Sequence, residues 1–76
     1  MKIPQSFKKY FWDIDFNSLD IKKYQDYIIE RLLEYGDEKA YQWLFNKFSL
    51  TKILKVANKS RKISPKTKNF VNIILK

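Results

Sequence analysis

Turn-forming residues are scarce in this sequence, and this limits the folds open to it. Among 76 residues there are one glycine, Gly36, and two prolines, Pro4 and Pro65. A β-rich domain of this size needs several tight turns, which use such residues at fixed positions. The sequence therefore predicts an all-α fold: a small bundle of four to five short helices, in one domain over residues 1–76.

Apolar residues recur at helical spacing through most of the chain. The pattern predicts a short helix over residues 5–12, a loop over 13–18 and a longer helix over about 19–35. A third helix is predicted after Gly36, and two more follow it over about 50–58 and 65–75. The predicted core is Ile28, Leu32, Trp43, Leu44, Ile53, Phe70 and Ile74, with Ile73 also facing inward.

Residues typical of helix ends separate these segments. Asn17 or Ser18 is predicted to cap the longer helix, since a short polar side chain accepts a bond from an unpaired backbone N–H. Gly36 is predicted to end it in the left-handed conformation, which glycine adopts without a Cβ clash. The caps predicted for the next three helices are Asp37, Ser49 and Ser64.

The residue types that serve common cofactors and catalytic groups are missing. The chain has no cysteine and no histidine, so it can form neither a disulfide nor a zinc site of the usual kind. Asp13 and Asp15 are the only close carboxylate pair that could be considered catalytic, but they lack the preceding glycine-serine turn of nucleotidyltransferases. We therefore expect no cofactor and no catalysis, and a protein that acts by binding.

The length of the apolar segments indicates where in the cell the protein resides. No apolar run approaches the roughly 20 residues that span a bilayer. The first residues carry a charge but no following apolar run, so they do not read as a signal peptide. We expect a cytoplasmic protein without a membrane partner.

Charge is divided unevenly along the chain. Residues 1–38 hold six bases and eight acids, a net charge of −2. Residues 39–76 hold ten bases and no acid, a net charge of +10, which brings the total to +8. Such asymmetry is typical of a basic binding face. The abundance of lysine alone also fits a compositional bias, but that bias does not explain where the acids lie.

The last two predicted helices have the size and order of a helix-turn-helix unit, in which the second helix enters the major groove of DNA. Basic side chains would hold phosphates, and residues at the start of the last helix would face the bases. The alternative is a plain helical hairpin with a solvated lysine face. The candidate nucleic-acid-binding residues are Lys52, Lys55, Lys59, Arg61, Lys62, Lys66, Lys68 and Asn69.

Aromatic residues concentrate near the beginning of the chain. Five of them fall within ten residues, on a segment too short to bury every ring, which leaves room for a protein-binding patch. The alternative is that most of these rings belong to the core. The candidate partner-binding residues are Phe7, Tyr10, Phe11, Trp12 and Phe16.

Three segments, in order, carry a family resemblance: FWDIDF at 11–16, YIIERLLEYGD at 27–37 leading to Trp43-Leu44, and SRKISPKTKNF at 60–70. Together they resemble a family of small, uncharacterised helical proteins of bacteria and archaea. The genes of that family often lie beside an abortive-infection-type nucleotidyltransferase toxin. The resemblance implies an antitoxin-like or accessory protein whose partner is such a toxin.

Two hypotheses from different classes follow. One is a non-catalytic protein-binding module that restrains or escorts a nucleotidyltransferase-type toxin. The other is a DNA-binding, helix-turn-helix-like regulator that uses the basic second half. One antitoxin can do both with separate surfaces, and a homodimer would also suit so small a chain.

Overall fold

The computed structural model describes residues 3–74, and within them the chain forms helices and no strand. Two 3-10 helices, Gln5–Tyr10 and Phe16–Ser18, come first. Four α-helices follow: α1 (Gln25–Tyr35), α2 (Glu38–Lys47), α3 (Leu50–Lys59) and α4 (Pro65–Ile74). The predicted all-α fold is confirmed, and the end predicted at residue 75 lies outside the described residues. None of the helices in this part of the chain combines the length and apolar character needed to span a bilayer.

Three of the predicted helix caps are confirmed. The Asp37 carboxylate accepts a hydrogen bond from the Ala40 N–H at 3.0 Å, and the Ser49 hydroxyl accepts one from Lys52 at 3.1 Å. The Ser64 hydroxyl accepts a bond from the Thr67 N–H at 3.3 Å. Each side chain satisfies a donor in the first turn that has no partner within its helix.

The beginning of α1 differs from the prediction. The helix begins at Gln25 rather than near residue 19, and neither Asn17 nor Ser18 caps it. The Asp15 carboxylate instead accepts bonds from the Asn17 N–H and the Ser18 hydroxyl, which closes the second 3-10 helix. The Asp20 carboxylate accepts from the Lys22 N–H at 2.9 Å. These aspartates compete with the helix for backbone donors and delay its start.

Gly36 ends α1, but its predicted left-handed conformation is wrong. Its φ is −76° and its ψ is 162°, which is extended backbone. Glycine is needed for space instead, because a Cβ there would lie 2.3 Å from the Leu32 carbonyl oxygen and 2.7 Å from the Ala40 Cβ. Only glycine lets α2 begin this close to the end of α1.

We expect Gly36→Ala to lower the free energy of unfolding by about 1–3 kcal/mol, the usual range when an extra methyl group must be accommodated. The clash involves backbone, which cannot move aside as a flexible side chain can. Urea unfolding monitored by circular dichroism measures the change. Asn46→Ala, at an exposed position of α2, serves as the control, and equal stability of the two variants would contradict this account of Gly36.

Most of the predicted core is confirmed. Ile28, Leu32, Leu44 and Ile53 are fully buried, and Trp43 is partly buried against them. Helix α1 lies at the centre and packs on both α2 and α3, while α4 packs on α3.

The predicted orientation of α4 is wrong. Val71 is its buried residue, whereas Phe70, Ile73 and Ile74 are exposed. A reciprocal amide pair between Asn58 of α3 and Asn72 of α4, at 2.9 and 3.3 Å, holds the Val71 side of the helix inward. Phe70, Ile73 and Ile74, on the neighbouring side of the helix, are therefore left facing solvent.

Candidate partner-binding site

The aromatic segment that the sequence singled out divides into core and surface. Phe7, Tyr10, Phe11 and Phe16 are buried, so they are not available as a contact surface in the folded protein. The Phe11 ring packs 5.9 Å from Phe16 and 6.0 Å from Tyr27 of α1, centroid to centroid. The interpretation of all five rings as one binding patch is corrected to a single member, Trp12.

Trp12 is 62% exposed although its ring is held in place. The Arg31 guanidinium carbon lies 4.4 Å from the centroid of the Trp12 ring, a cation–π distance. The Tyr35 ring, also largely exposed, meets Trp12 edge-on at 5.1 Å. Trp12 and Tyr35 therefore form one exposed aromatic surface, here called the Trp12 surface, with Arg31 beneath it.

Arg31 is the centre of this arrangement. Its guanidinium carbon also lies 5.0 Å from the Tyr27 ring centroid and 5.9 Å from that of Tyr35, and its side chain is only 15% exposed. Nη2 donates to the Asp13 carboxylate in an ion pair. Nη1 is buried without a hydrogen-bond partner among the described residues, and aromatic faces surround the group. The rings and Asp13 together fix the guanidinium in one position.

Tyr27 completes the network. Its hydroxyl donates to the other Asp13 oxygen at 2.7 Å. Burial, together with this hydrogen bond, raises the pKa of Tyr27 to about 12. The bond from Tyr27, aided by Arg31, lowers the pKa of Asp13. At neutral pH the carboxylate is therefore ionised and the phenol is a donor, so Asp13 ties the Trp12 segment to α1.

Trp12 is the one residue of this site that the aromatic pattern of the sequence indicates. Tyr27, Arg31 and Tyr35 follow one another at intervals of four residues, which places them along one side of α1. That spacing is visible in the sequence, but nothing in it connects these residues to Trp12. Asp13, considered there only with Asp15 as a carboxylate pair, instead pairs with Arg31 from 18 residues away.

The lysines of α3 lie beside acids of α1. Lys52 forms an ion pair with Asp26 at 3.0 Å, and Lys55 and Lys59 line the same groove as Asp26 and Glu30. This side of α3 is thus not uniformly positive. Folding thus places acidic residues of the first half of the chain next to basic residues of the second half.

The start of α4 also has an acidic neighbour. The Glu34 carboxylate of α1 accepts bonds from the Ser64 hydroxyl at 3.1 Å and from the Ser64 N–H at 3.3 Å. Glu34 therefore lies beside the start of α4, the end of the helix that would face the DNA bases in a helix-turn-helix protein. Of the candidate residues in this region, Lys68 is partly buried and the exposed ones are Arg61, Lys62, Lys66 and Asn69.

The structure thus defines a small all-α protein with a fixed, exposed aromatic surface over a caged arginine. The chain belongs to a family of unknown function, DUF6922, which matches residues 6–57. The matched region contains every residue of the Trp12 surface and its cage, and it ends before α4. No curated protein and no solved structure shows a significant match.

Proposed function

We propose that this protein is a non-catalytic binding module and that its partner protein contacts the Trp12 surface. One observation carries the proposal: Trp12 is 62% exposed, yet a cation, a second ring and an ion pair hold it in place. Large exposed aromatic groups on soluble proteins are typical of interaction sites.

The physical properties of the surface suit an anchor for binding. Tryptophan and tyrosine are enriched among residues that dominate interface energies, because each buries a large ring with few rotatable bonds. Here the rings lose little further freedom on binding, since Arg31 already fixes Trp12. A surface that is ordered before binding keeps more of its contact energy as affinity.

The partner that we propose is a nucleotidyltransferase-type toxin encoded next to this protein, which would make it an antitoxin-like or accessory protein of the cytoplasm. The support for this partner is the sequence resemblance. The matching family is of unknown function, and its match covers the part of the chain that builds the Trp12 surface.

Co-expression with the neighbouring gene product tests this proposal. A tagged copy of this protein should retain the toxin through affinity and size-exclusion chromatography as one stable complex. The nucleotidyltransferase activity of the isolated toxin should fall when this protein is added. Separate elution of the two proteins, with unchanged toxin activity, would exclude the toxin as the partner.

DNA binding is a second candidate function, favoured by one observation. In residues 60–69 the exposed bases Arg61, Lys62 and Lys66 lie close together in sequence, and residues 39–76 contain no acid. The neighbouring carboxylates, Glu34 at the start of α4 and Asp26 against Lys52, oppose phosphate binding there. We therefore rank this function below protein binding.

If this basic segment follows a duplex, affinity should fall steeply with salt. Contacts between phosphates and the three or four basic side chains of this segment give a log–log slope of roughly −3 to −4, at about −0.9 per phosphate. The double variant Arg61→Ala, Lys66→Ala should bind DNA more weakly and reduce the slope by about two units. Fluorescence anisotropy measures both quantities.

The control separates regulation from simple charge attraction. Binding to the upstream DNA of the protein's own gene is compared with binding to a scrambled duplex, at about 150 mM salt, where nonspecific complexes are usually weaker than micromolar. Tighter binding to the upstream DNA is expected of a regulator. Equal binding of the two duplexes would reject a sequence-specific role.

A further inference from the structure

The outer side of α4 is an apolar surface that the described chain leaves uncovered. Ile73 is 68% exposed, Phe70 48% and Ile74 40%. These residues share one side of the helix, which flanks the side on which Val71 is buried. Several exposed apolar residues side by side differ from the scattered ones that are normal on protein surfaces.

Beside this surface lies a groove with an aromatic wall. The Tyr41 ring is 6.1 Å from the Phe45 ring and 5.9 Å from the Phe70 ring, centroid to centroid, which joins α2 to α4. The Tyr41 hydroxyl donates to the Leu33 carbonyl at 2.6 Å, so this ring is fixed. Burial raises the pKa of Tyr41, which keeps the donor protonated at neutral pH. Gly36 borders the groove and adds no side chain to it.

The charge on the groove has one sign. Asp37 and Glu38 form its rim, and no base is among the described residues that line it. Lys66 lies on the other side of the Tyr41–Phe70 pair, together with Glu34. The groove therefore combines an apolar wall with a negative edge.

We propose that this groove binds an amphipathic helix of a partner protein, one that carries basic residues beside its apolar stripe. The apolar stripe would cover the outer side of α4 and contact Phe45 and Phe70. The bases would lie next to Asp37 and Glu38. Helices bind grooves in this way through apolar residues on successive turns, and complementary charge sets the choice of partner. The groove is separate from the Trp12 surface, and this inference does not depend on the toxin.

A single glycine makes the groove easy to observe by nuclear magnetic resonance. Gly36 is the one glycine of the sequence, so its backbone amide gives an identifiable signal at the edge of the groove. The probe is a synthetic 14-residue helix of leucine and lysine, compared with a peptide in which glutamate replaces every lysine. We expect the lysine peptide to shift the signals of Gly36 and Glu38, and the glutamate peptide to shift neither.

Two matched variants test whether charge at the groove affects binding of the peptide. Gln42 is exposed and lines the groove, so Gln42→Lys adds a positive charge there without loss of packing. It should weaken binding of the lysine peptide by about two- to fivefold, the effect expected for one exposed charge. Asn46→Lys, on the same helix but outside the groove lining, makes the same change in net charge and should bind like the wild type.

Three results would overturn the proposal. The first is the absence of a Gly36 shift with either peptide, and the second is an equal shift with both peptides. The third is a Gly36 shift on dilution of the free protein, accompanied by a change in sedimentation, because a second copy would then cover the groove.

Discussion

Phe11→Ala should remove a large fraction of the protein's free energy of unfolding, whereas Trp12→Ala should remove little of it. The two rings are neighbours in sequence, but Phe11 is 1% exposed and packs among Phe16 and Tyr27. Truncation of a buried phenylalanine costs about 3–5 kcal/mol. A chain of this length has a total stability of about 4–11 kcal/mol, at roughly 0.05–0.15 kcal/mol per residue. The loss is therefore a large fraction of the whole.

Thermal unfolding of both variants, monitored by circular dichroism, measures the difference. Trp12→Ala removes the cation–π and ring contacts on an exposed side, and such contacts contribute about 0.5–1 kcal/mol each. A small loss of stability is therefore expected for this variant. Similar midpoints for Phe11→Ala and Trp12→Ala would show that the assignment of one ring to the core and the other to the surface is wrong.

Trp12→Ala should instead weaken the proposed complex with the toxin by at least about 2 kcal/mol, or roughly 30-fold in Kd. The variant removes the anchor and leaves Arg31 and Tyr35 without the ring that joins them. Isothermal titration calorimetry gives both dissociation constants.

Leu50→Ala is the matched control, because it truncates an apolar side chain that is also about half exposed, at the start of α3. It should bind the toxin like the wild type. Equal affinities of the Trp12→Ala variant and the wild type would exclude the Trp12 surface from the interface.

The parts of the fold that local chemistry decides could be predicted from the sequence. The caps Asp37, Ser49 and Ser64 act on backbone donors three residues away, so the necessary partners are adjacent in the chain. The beginning of α1 was predicted wrongly, because several nearby side chains can accept a bond from a backbone N–H. Asp15 and Asp20 accept such bonds, whereas Asn17 and Ser18 were expected to.

The orientation of α4 could not be predicted, because its sequence has apolar residues on two sides. Periodicity shows that Val71 and Phe70 point in different directions, but it does not show which side meets α3. The Asn58–Asn72 pair settles the matter, and it joins residues on different helices. The apolar residues left outside, Phe70, Ile73 and Ile74, are the ones that periodicity assigned to the core.

Only Trp12, one of the five residues of the candidate site, was predicted from the sequence, for a similar reason. The cluster of aromatic rings indicated the right segment, but burial is a property of the folded chain. Arg31 lies against both Trp12 and Tyr27, and its pairing with Asp13 spans residues that no local pattern connects. The acids beside the α3 lysines, such as Asp26, are likewise distant in sequence.

Fluorine resonance of the protein labelled with 5-fluorotryptophan tests the central claim most directly. The chain has two tryptophans, Trp12 at the proposed interface and Trp43 against the core, so two signals report on the two environments. A Trp12→Phe variant assigns them, and the unlabelled toxin adds no signal. We predict that the toxin shifts the Trp12 signal while the Trp43 signal stays in place. A complex that forms with the Trp12 signal unchanged would contradict the proposal that Trp12 anchors the partner.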